Sequence, residues 1–313
     1  MTKLSDLTTI RVGGAPKQLL VANSQADLIR FANQVWDETE NWLVLGGGSN
    51  VVVSDSIPFL EVIQVATKGI EASGNVVTVQ AGENWHDFVM HANSQGWAGI
   101  ESLAGIPGTV GAAPIQNIGA YGQEVSSVIR SVEFFDFESR ELVVLDREGC
   151  GFGYRDSIFK IGLRGIVTAV NFDFEAKRPE ELQKVSEDVL SQRKAKGMVL
   201  DANDHDTWSC GSFFMNPFVT PSFARSLPLD APQWEVGDEV KLSAAWLIEH
   251  AGLKKGFSLP NSKAAISNKH ALAITNRGGA TSEDIVELAS FIQTQVGNTF
   301  GIYLVPEPNI IGF

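Results

Sequence analysis

Residues 99–124 read GIESLAGIPGTVGAAPIQNIGAYGQE. Gly99, Gly105, Gly108, Gly111, Gly119 and Gly122 punctuate the stretch, and Glu101 and Glu124 are its only charges. So much Gly and Pro rules out a regular helix or a central strand. Without a Cβ, the backbone can come close to another surface, offer N–H groups to a ligand and adopt the positive-φ turns that make anion nests. The plainer alternative is a long ordered surface loop, which ordinarily carries Lys, Asp and Glu.

A second cluster, Gly46-Gly47-Gly48-Ser49-Asn50, follows the apolar run Trp42–Leu45. A dinucleotide fingerprint of the Rossmann kind needs a third spaced glycine and a following helix whose N-terminus holds the pyrophosphate. Here Val51-Val52-Val53 follows, a β-branched run that reads as strand. Any phosphate held here therefore rests on backbone N–H groups in a loop between strands.

The 313 residues suffice for roughly two domains with real cores. Hydrophobic content of 44% and charged content of 19% are ordinary for a globular protein. A net charge of −13 argues against nucleic acid and anionic membrane as partners, while leaving room for a local basic pocket. No apolar run approaches the ~20 residues of a membrane span, and the start does not read as a signal peptide. Cys150 and Cys210 are too few for a disulfide framework and suit a reducing cytoplasm.

Ser24 starts a helix on which Leu28, Phe31, Ala32 and Val35 recur at helical spacing, between strands Gln18–Val21 and Trp42–Leu45 and ahead of Leu60–Val65. The first ~65 residues thus form a small β-α-β unit. A strand at Val76–Gln80 precedes an amphipathic helix over 84–95 that Gly96 closes. Val128–Phe137 and Glu141–Leu145 read as a hairpin, and Ile166–Phe174 as a strand returning to that sheet. A helix from Arg178-Pro179 ends in the basic cluster Arg193-Lys194-Ala195-Lys196. That cluster either complements the helix macrodipole or binds phosphate. His86 and His91 are too far apart along their helix for shared metal ligation. Asp204-His205-Asp206 reads as a solvated loop, so no metal site is expected. Helices follow at Ser243–Ala251 and 282–296, with a strand within Ala264–Thr275. The chain ends in an apolar strand broken by Pro306-Glu307-Pro308. A carboxylate between two prolines is fixed in extended geometry, whether in a site or in a plain surface turn.

Seven segments in order resemble the UDP-N-acetylenolpyruvoylglucosamine reductase family of bacterial peptidoglycan synthesis, in its actinobacterial branch. They are TTIRVGG (8–14), LGGGSNVV (45–52), AGENWHDFV (81–89), GIPGTVGAAPIQNIGAYGQE (105–124), FGYRDSIFK (152–160), CGSFFMNP (210–217) and VPEP (305–308). The resemblance implies an α+β fold. A two-part FAD-binding domain (1–176, with parts 1–68 and 69–176; a β-α-β unit plus a mainly antiparallel sheet, not Rossmann) precedes an α/β substrate-binding domain (177–313). The last strand of that domain returns towards the flavin.

The resemblance also implies non-covalent FAD, NADPH as reductant, a nucleotide-sugar substrate and a cytoplasmic enzyme, for which we expect a monomer. Carried over residue by residue, Arg155, Ser212 and Glu307 match the catalytic set. The flavin loops match Leu45, Gly46, Gly47, Gly48, Ser49, Asn50 and Val51, with Gly105, Gly108, Gly111, Gln116, Asn117, Gly119 and Gly122. Tyr121, Arg193, Lys196, Asn216, Lys255 and His270 match substrate contacts.

The residue chemistry is compatible with those roles. Hydride addition to an enolpyruvyl double bond pushes charge into the neighbouring carboxylate, and an arginine fork stabilises the resulting enolate. A serine hydroxyl, though a weak acid, can protonate a carbon that basic. Glu307 suits such a site if it orients Arg155 or is held protonated. Two departures from the family pattern stand out. Glu175-Ala176-Lys177 leads straight into the following helix, where many members carry a tyrosine-bearing loop. Position 215 is Met where Lys is common. The competing readings are another flavin oxidoreductase of the same fold and a nucleotide-binding protein without catalysis. Retention of Arg155, Ser212 and Glu307 speaks against the latter.

Overall fold

The computed structural model describes residues 2–313, which divide into two compact units. The first comprises Ala15–Gly48 and Ile57–Val199, with Thr2. The second comprises Lys3–Gly14, Ser49–Ser56 and Leu200–Phe313.

The first unit opens with the expected β-α-β arrangement. Strand Glu61–Val65 lies between Gln18–Ala22 and Trp42–Leu45, all parallel. The crossover helix Gln25–Glu38 starts where the Ser24 side chain accepts the Asp27 N–H, and it buries Leu28, Ala32, Val35 and Trp36. A five-stranded antiparallel sheet follows, in the order Leu142–Asp146, Ile129–Asp136, Gly165–Asp173, Val76–Gln80, Ile70–Ser73. Helix Trp85–Gln95 is capped by Asn84 and closed by Gly96 at φ 76, the left-handed turn that glycine adopts without strain. Its Trp85, Phe88, Val89 and Ala92 join Phe134 and Phe172 in one core. Helix Pro179–Ala195 packs on it, and Asn93 Nδ2 donates to Ser186 Oγ at 2.7 Å. The direct link through Glu175–Ala176 is fastened down by antiparallel pairing with Trp97–Ala98.

In the second unit Asn309–Ile311 pairs in parallel with Val51–Val53. Ala264–Ile266 and Ile274–Asn276 form a hairpin, and Glu239–Leu242 lies between Phe218–Val219 and Gln233–Val236. Helix Ser282–Phe300 has a Thr281/Asp284 capping box and buries Ile285, Leu288, Ala289, Ile292 and Val296, the face expected from spacing. Asp55 joins two ends of this unit: one carboxylate oxygen accepts from Gly13 N at 2.9 Å, the other from Ser282 N at 2.8 Å.

Two sequence expectations need correction here. Residues 302–305 form no regular strand, although buried Ile302 and Leu304 alternate with exposed Tyr303 and Val305. Pairing is confined to an isolated antiparallel bridge, Phe214 with Pro306, made by Met215 N to Val305 O and Glu307 N to Phe213 O at 2.9 and 2.8 Å. Of Asp204-His205-Asp206, His205 is exposed as a solvated loop requires, but Asp206 is 8% exposed and accepts from Ser267 Oγ at 2.9 Å and Asn268 N at 3.0 Å. A local polar run gave no sign of those distant donors. No group of three or more His, Cys, Asp or Glu among the described residues is placed to hold a metal.

Candidate active site

The two glycine loops meet in the first unit. A Cβ on Gly47 would stand 2.7 Å from the Gly108 Cα, and one on Gly46 would stand 2.6 Å from Thr109 Oγ1. Backbone therefore lies on backbone, and any side chain would push the loops apart. The loop runs from strand Trp42–Leu45 to strand Val51–Val53, with no helix behind it. At this contact Gly48 and Gly108 stand at positive φ, backbone that can turn N–H groups towards a pyrophosphate. The residues present fit FAD in this respect. Gly47→Ala should cost roughly 1–3 kcal/mol by overpacking, lower Tm by about 2–10 °C and weaken flavin retention. Wild-type flavin affinity in this variant, measured by fluorescence titration, would show that the loop contact is no part of the cradle.

Arg155 sits at φ 54 in the turn closed by Gly153 and Asp156. Its guanidinium donates to the carbonyls of Gly119 and, at 3.4 Å, Asn117. A Cβ on Gly119 would lie 2.9 Å from Arg155 Nη1, so glycine there is what admits the fork. Tyr121, two residues on, is 42% exposed, and Lys196 Nζ stands 5.8 Å from its ring centroid. Arg193 is 8% exposed and donates to Met198 O at 3.2 Å and Gly105 O at 3.4 Å, while its Nε is buried without a partner. Burial lowers its pKa from the ordinary guanidinium value, and Tyr121 opposes that shift. The first unit thus brings Arg155 onto Asn117 and Gly119, Lys196 onto Tyr121, and Arg193 onto Gly105.

The second unit gathers a different set. Ser212 follows Gly211, which has φ 76, and precedes the buried Phe213 and Phe214. Phe213 O accepts the Glu307 N–H, so the serine and the carboxylate lie on adjoining segments. Asn50 Nδ2 donates to Glu307 O at 3.3 Å, and Asn50 O accepts from Asn309 N at 3.0 Å. Glu307 is therefore tied to the end of the first glycine loop, a pairing that no local sequence signal announced. Asn216 Oδ1 accepts from Ala244 N at 2.9 Å at the head of helix Ala244–His250. Any hydrogen bond it donates to a substrate falls to its amide nitrogen. His270 N donates to Ser267 Oγ at 3.2 Å in the loop that Asp206 holds, whereas Lys255 lies exposed in a turn. Burial pushes the thiols of Cys150 and Cys210 up to about 12, so neither serves as a thiolate at neutral pH.

The fold and its matches define a class first: a flavin-binding oxidoreductase in two parts. The FAD binding domain family model matches residues 16–145, and the model for the UDP-N-acetylenolpyruvoylglucosamine reductase C-terminal domain matches residues 203–311. The reductase of that name from Leifsonia xyli is 42% identical, over 99% of this chain and 98% of its own length. The one from Streptomyces avermitilis is 42% identical over 99% and 93%. The crystal structure of the Thermus caldophilus enzyme superposes with a TM-score of 0.74 at 29% identity, covering 99% of this chain and 98% of that one. The chain belongs to the UDP-N-acetylenolpyruvoylglucosamine reductase family.

Proposed function

We propose that this protein reduces UDP-N-acetylenolpyruvoylglucosamine to UDP-N-acetylmuramate with NADPH, in peptidoglycan precursor synthesis, using non-covalently bound FAD. Residues 1–176 hold the flavin and also supply Arg155 and Tyr121 to the substrate, residues 177–313 supply the remaining substrate contacts, and the enzyme acts as a cytoplasmic monomer. Bound FAD supplies the relay by which hydride from NADPH reaches the substrate double bond. The observation that supports the reading best is the setting of Arg155, in a chain that matches named reductases from end to end. Its fork is held by the carbonyls of Asn117 and Gly119, a few residues before Tyr121, over whose ring Lys196 Nζ stands.

The residues then take the following roles. Arg155 faces the substrate carboxylate and stabilises the enolate that forms as hydride adds to the terminal carbon. Ser212 Oγ–H delivers the proton to the adjacent carbon, which becomes the lactyl centre. Glu307, fixed by its N–H to Phe213 O, orients the polar groups around that proton. Lys196, Tyr121 and Arg193 receive the diphosphate, and the orphan Arg193 Nε is a donor that a phosphate oxygen would satisfy. The backbone of Gly46–Gly48 and of Gly108–Thr109 holds the flavin phosphates, since the N–H groups of Gly105, Ile106, Val110 and Gly111 are already given to His86, Leu103, Glu83 and Ala81.

Acid precipitation tests the non-covalent cofactor. Yellow colour is expected in the supernatant, and colour that stays with the pellet contradicts the proposal.

A further inference from the structure

Asn117 grips Arg155 from two sides. The residue is 1% exposed. Nδ2 donates to Gly153 O at 2.9 Å and to Glu124 Oε2 at 3.1 Å, and Oδ1 accepts from Ser126 N at 3.1 Å. Both amide hydrogens are thereby used, so the side chain has no donor left for cofactor or substrate. Gly153 is the residue that closes the turn carrying Arg155 at φ 54, through Gly153 N to Asp156 O at 3.0 Å. The carbonyl of Asn117, a residue held at φ 44, accepts from Arg155 Nη1 at 3.4 Å. One residue thus fixes both the backbone turn and the guanidinium. Asn tolerates this left-handed conformation better than other side-chain-bearing residues, and it alone combines that tolerance with two amide donors.

We propose that Asn117, with Glu124 as its acceptor, is a positioning residue that sets the placement of the Arg155 guanidinium on the substrate carboxylate. The inference rests on the reading above that Arg155 stabilises the developing enolate. Displacing a catalytic group by about 1 Å can cost around 10²-fold. A small shift of the Gly153 turn therefore reaches the reaction without any contact between Asn117 and the substrate.

The test is a double-variant cycle on the holoenzyme with Asn117→Gly, which keeps the positive-φ backbone, and Arg155→Ala. Stopped-flow absorbance gives the rate of the substrate half-reaction, and titration of the oxidised enzyme gives nucleotide affinity. Asn117→Gly should slow the substrate step by about 10–100-fold in the wild-type background and by less than about 3-fold once Arg155 is Ala. It should also lower the substrate step more than the NADPH step, whereas a general loss of structure moves both. Equal factors in the two backgrounds would overturn the inference. If Arg155→Ala alone leaves the substrate step unchanged, the assigned role of Arg155 fails first and the inference falls with it. If Asn117→Gly does not fold, Glu124→Ala and Glu124→Gln replace it. Ala should give the same non-additive pattern at smaller size, and Gln, which retains an acceptor, should restore most of the rate. Additive effects, or none, in the Glu124 pair would refute the positioning role.

Discussion

Ser212→Ala should separate the two halves of the catalytic cycle. Reduction of the bound flavin by NADPH takes no proton from this hydroxyl and is expected within several-fold of wild type. The substrate half-reaction needs a proton on the carbon that becomes the lactyl centre. Loss of a positioned donor costs about 10²–10⁴-fold, or roughly 3–5 kcal/mol of barrier. Ser212→Cys should recover part of the rate, because a thiol is the stronger acid. Ser212 also follows Gly211 at φ 76 and precedes a buried phenylalanine pair, so a purely conformational role is the competing explanation. That explanation predicts a lower Tm and equal slowing of both halves, or of neither. Stopped-flow flavin absorbance measures the two steps separately and decides between them.

Arg155→Ala is expected to be the next most damaging change. Removing one preorganised donor to a developing anion typically costs about 10²–10³-fold, or roughly 2.7–4 kcal/mol. The loss should fall on the substrate half-reaction. Arg155→Lys should recover little, because an ammonium cannot span the Asn117 and Gly119 carbonyls while presenting a fork to a carboxylate. Added guanidinium should restore part of the Arg155→Ala rate in a saturable way. A substrate step within a few-fold of wild type in Arg155→Ala, by the same stopped-flow assay, would remove this residue from the chemistry.

Much of the first unit was legible because its signals are local. Leu28, Ala32 and Val35 recur at helical spacing after an N-capping Ser24, and they lie on the buried face of that helix. The run Val51-Val52-Val53 correctly excluded a helix behind the glycine loop. Its partner was not legible, since Asn309–Ile311 lies at the other end of the chain and no periodicity links the two. The tail misled for a related reason. Ile302 and Leu304 alternate with exposed neighbours as a strand would, but the pairing is a single antiparallel bridge of Pro306 to the sequence-distant Phe214. In the site, Gly-rich composition pointed to a close backbone approach without saying which loops approach each other. The contact of Gly47 with Gly108 supplies that. Asp206 and Asn117 were opaque because their importance lies in donors and acceptors brought together by the fold: Ser267 and Asn268 for one, Gly153, Glu124 and Ser126 for the other. Spacing arguments see periodic faces, not irregular polar knots.

Electrons are expected to pass from NADPH through a bound flavin to an enolpyruvyl nucleotide. The most direct measurement is anaerobic absorbance of the purified holoenzyme. NADPH should bleach the flavin band. One equivalent of UDP-N-acetylenolpyruvoylglucosamine should then restore it, with UDP-N-acetylmuramate formed in matching amount. A flavin that bleaches with NADPH but stays reduced on adding the nucleotide, recovering only with oxygen, would contradict the account.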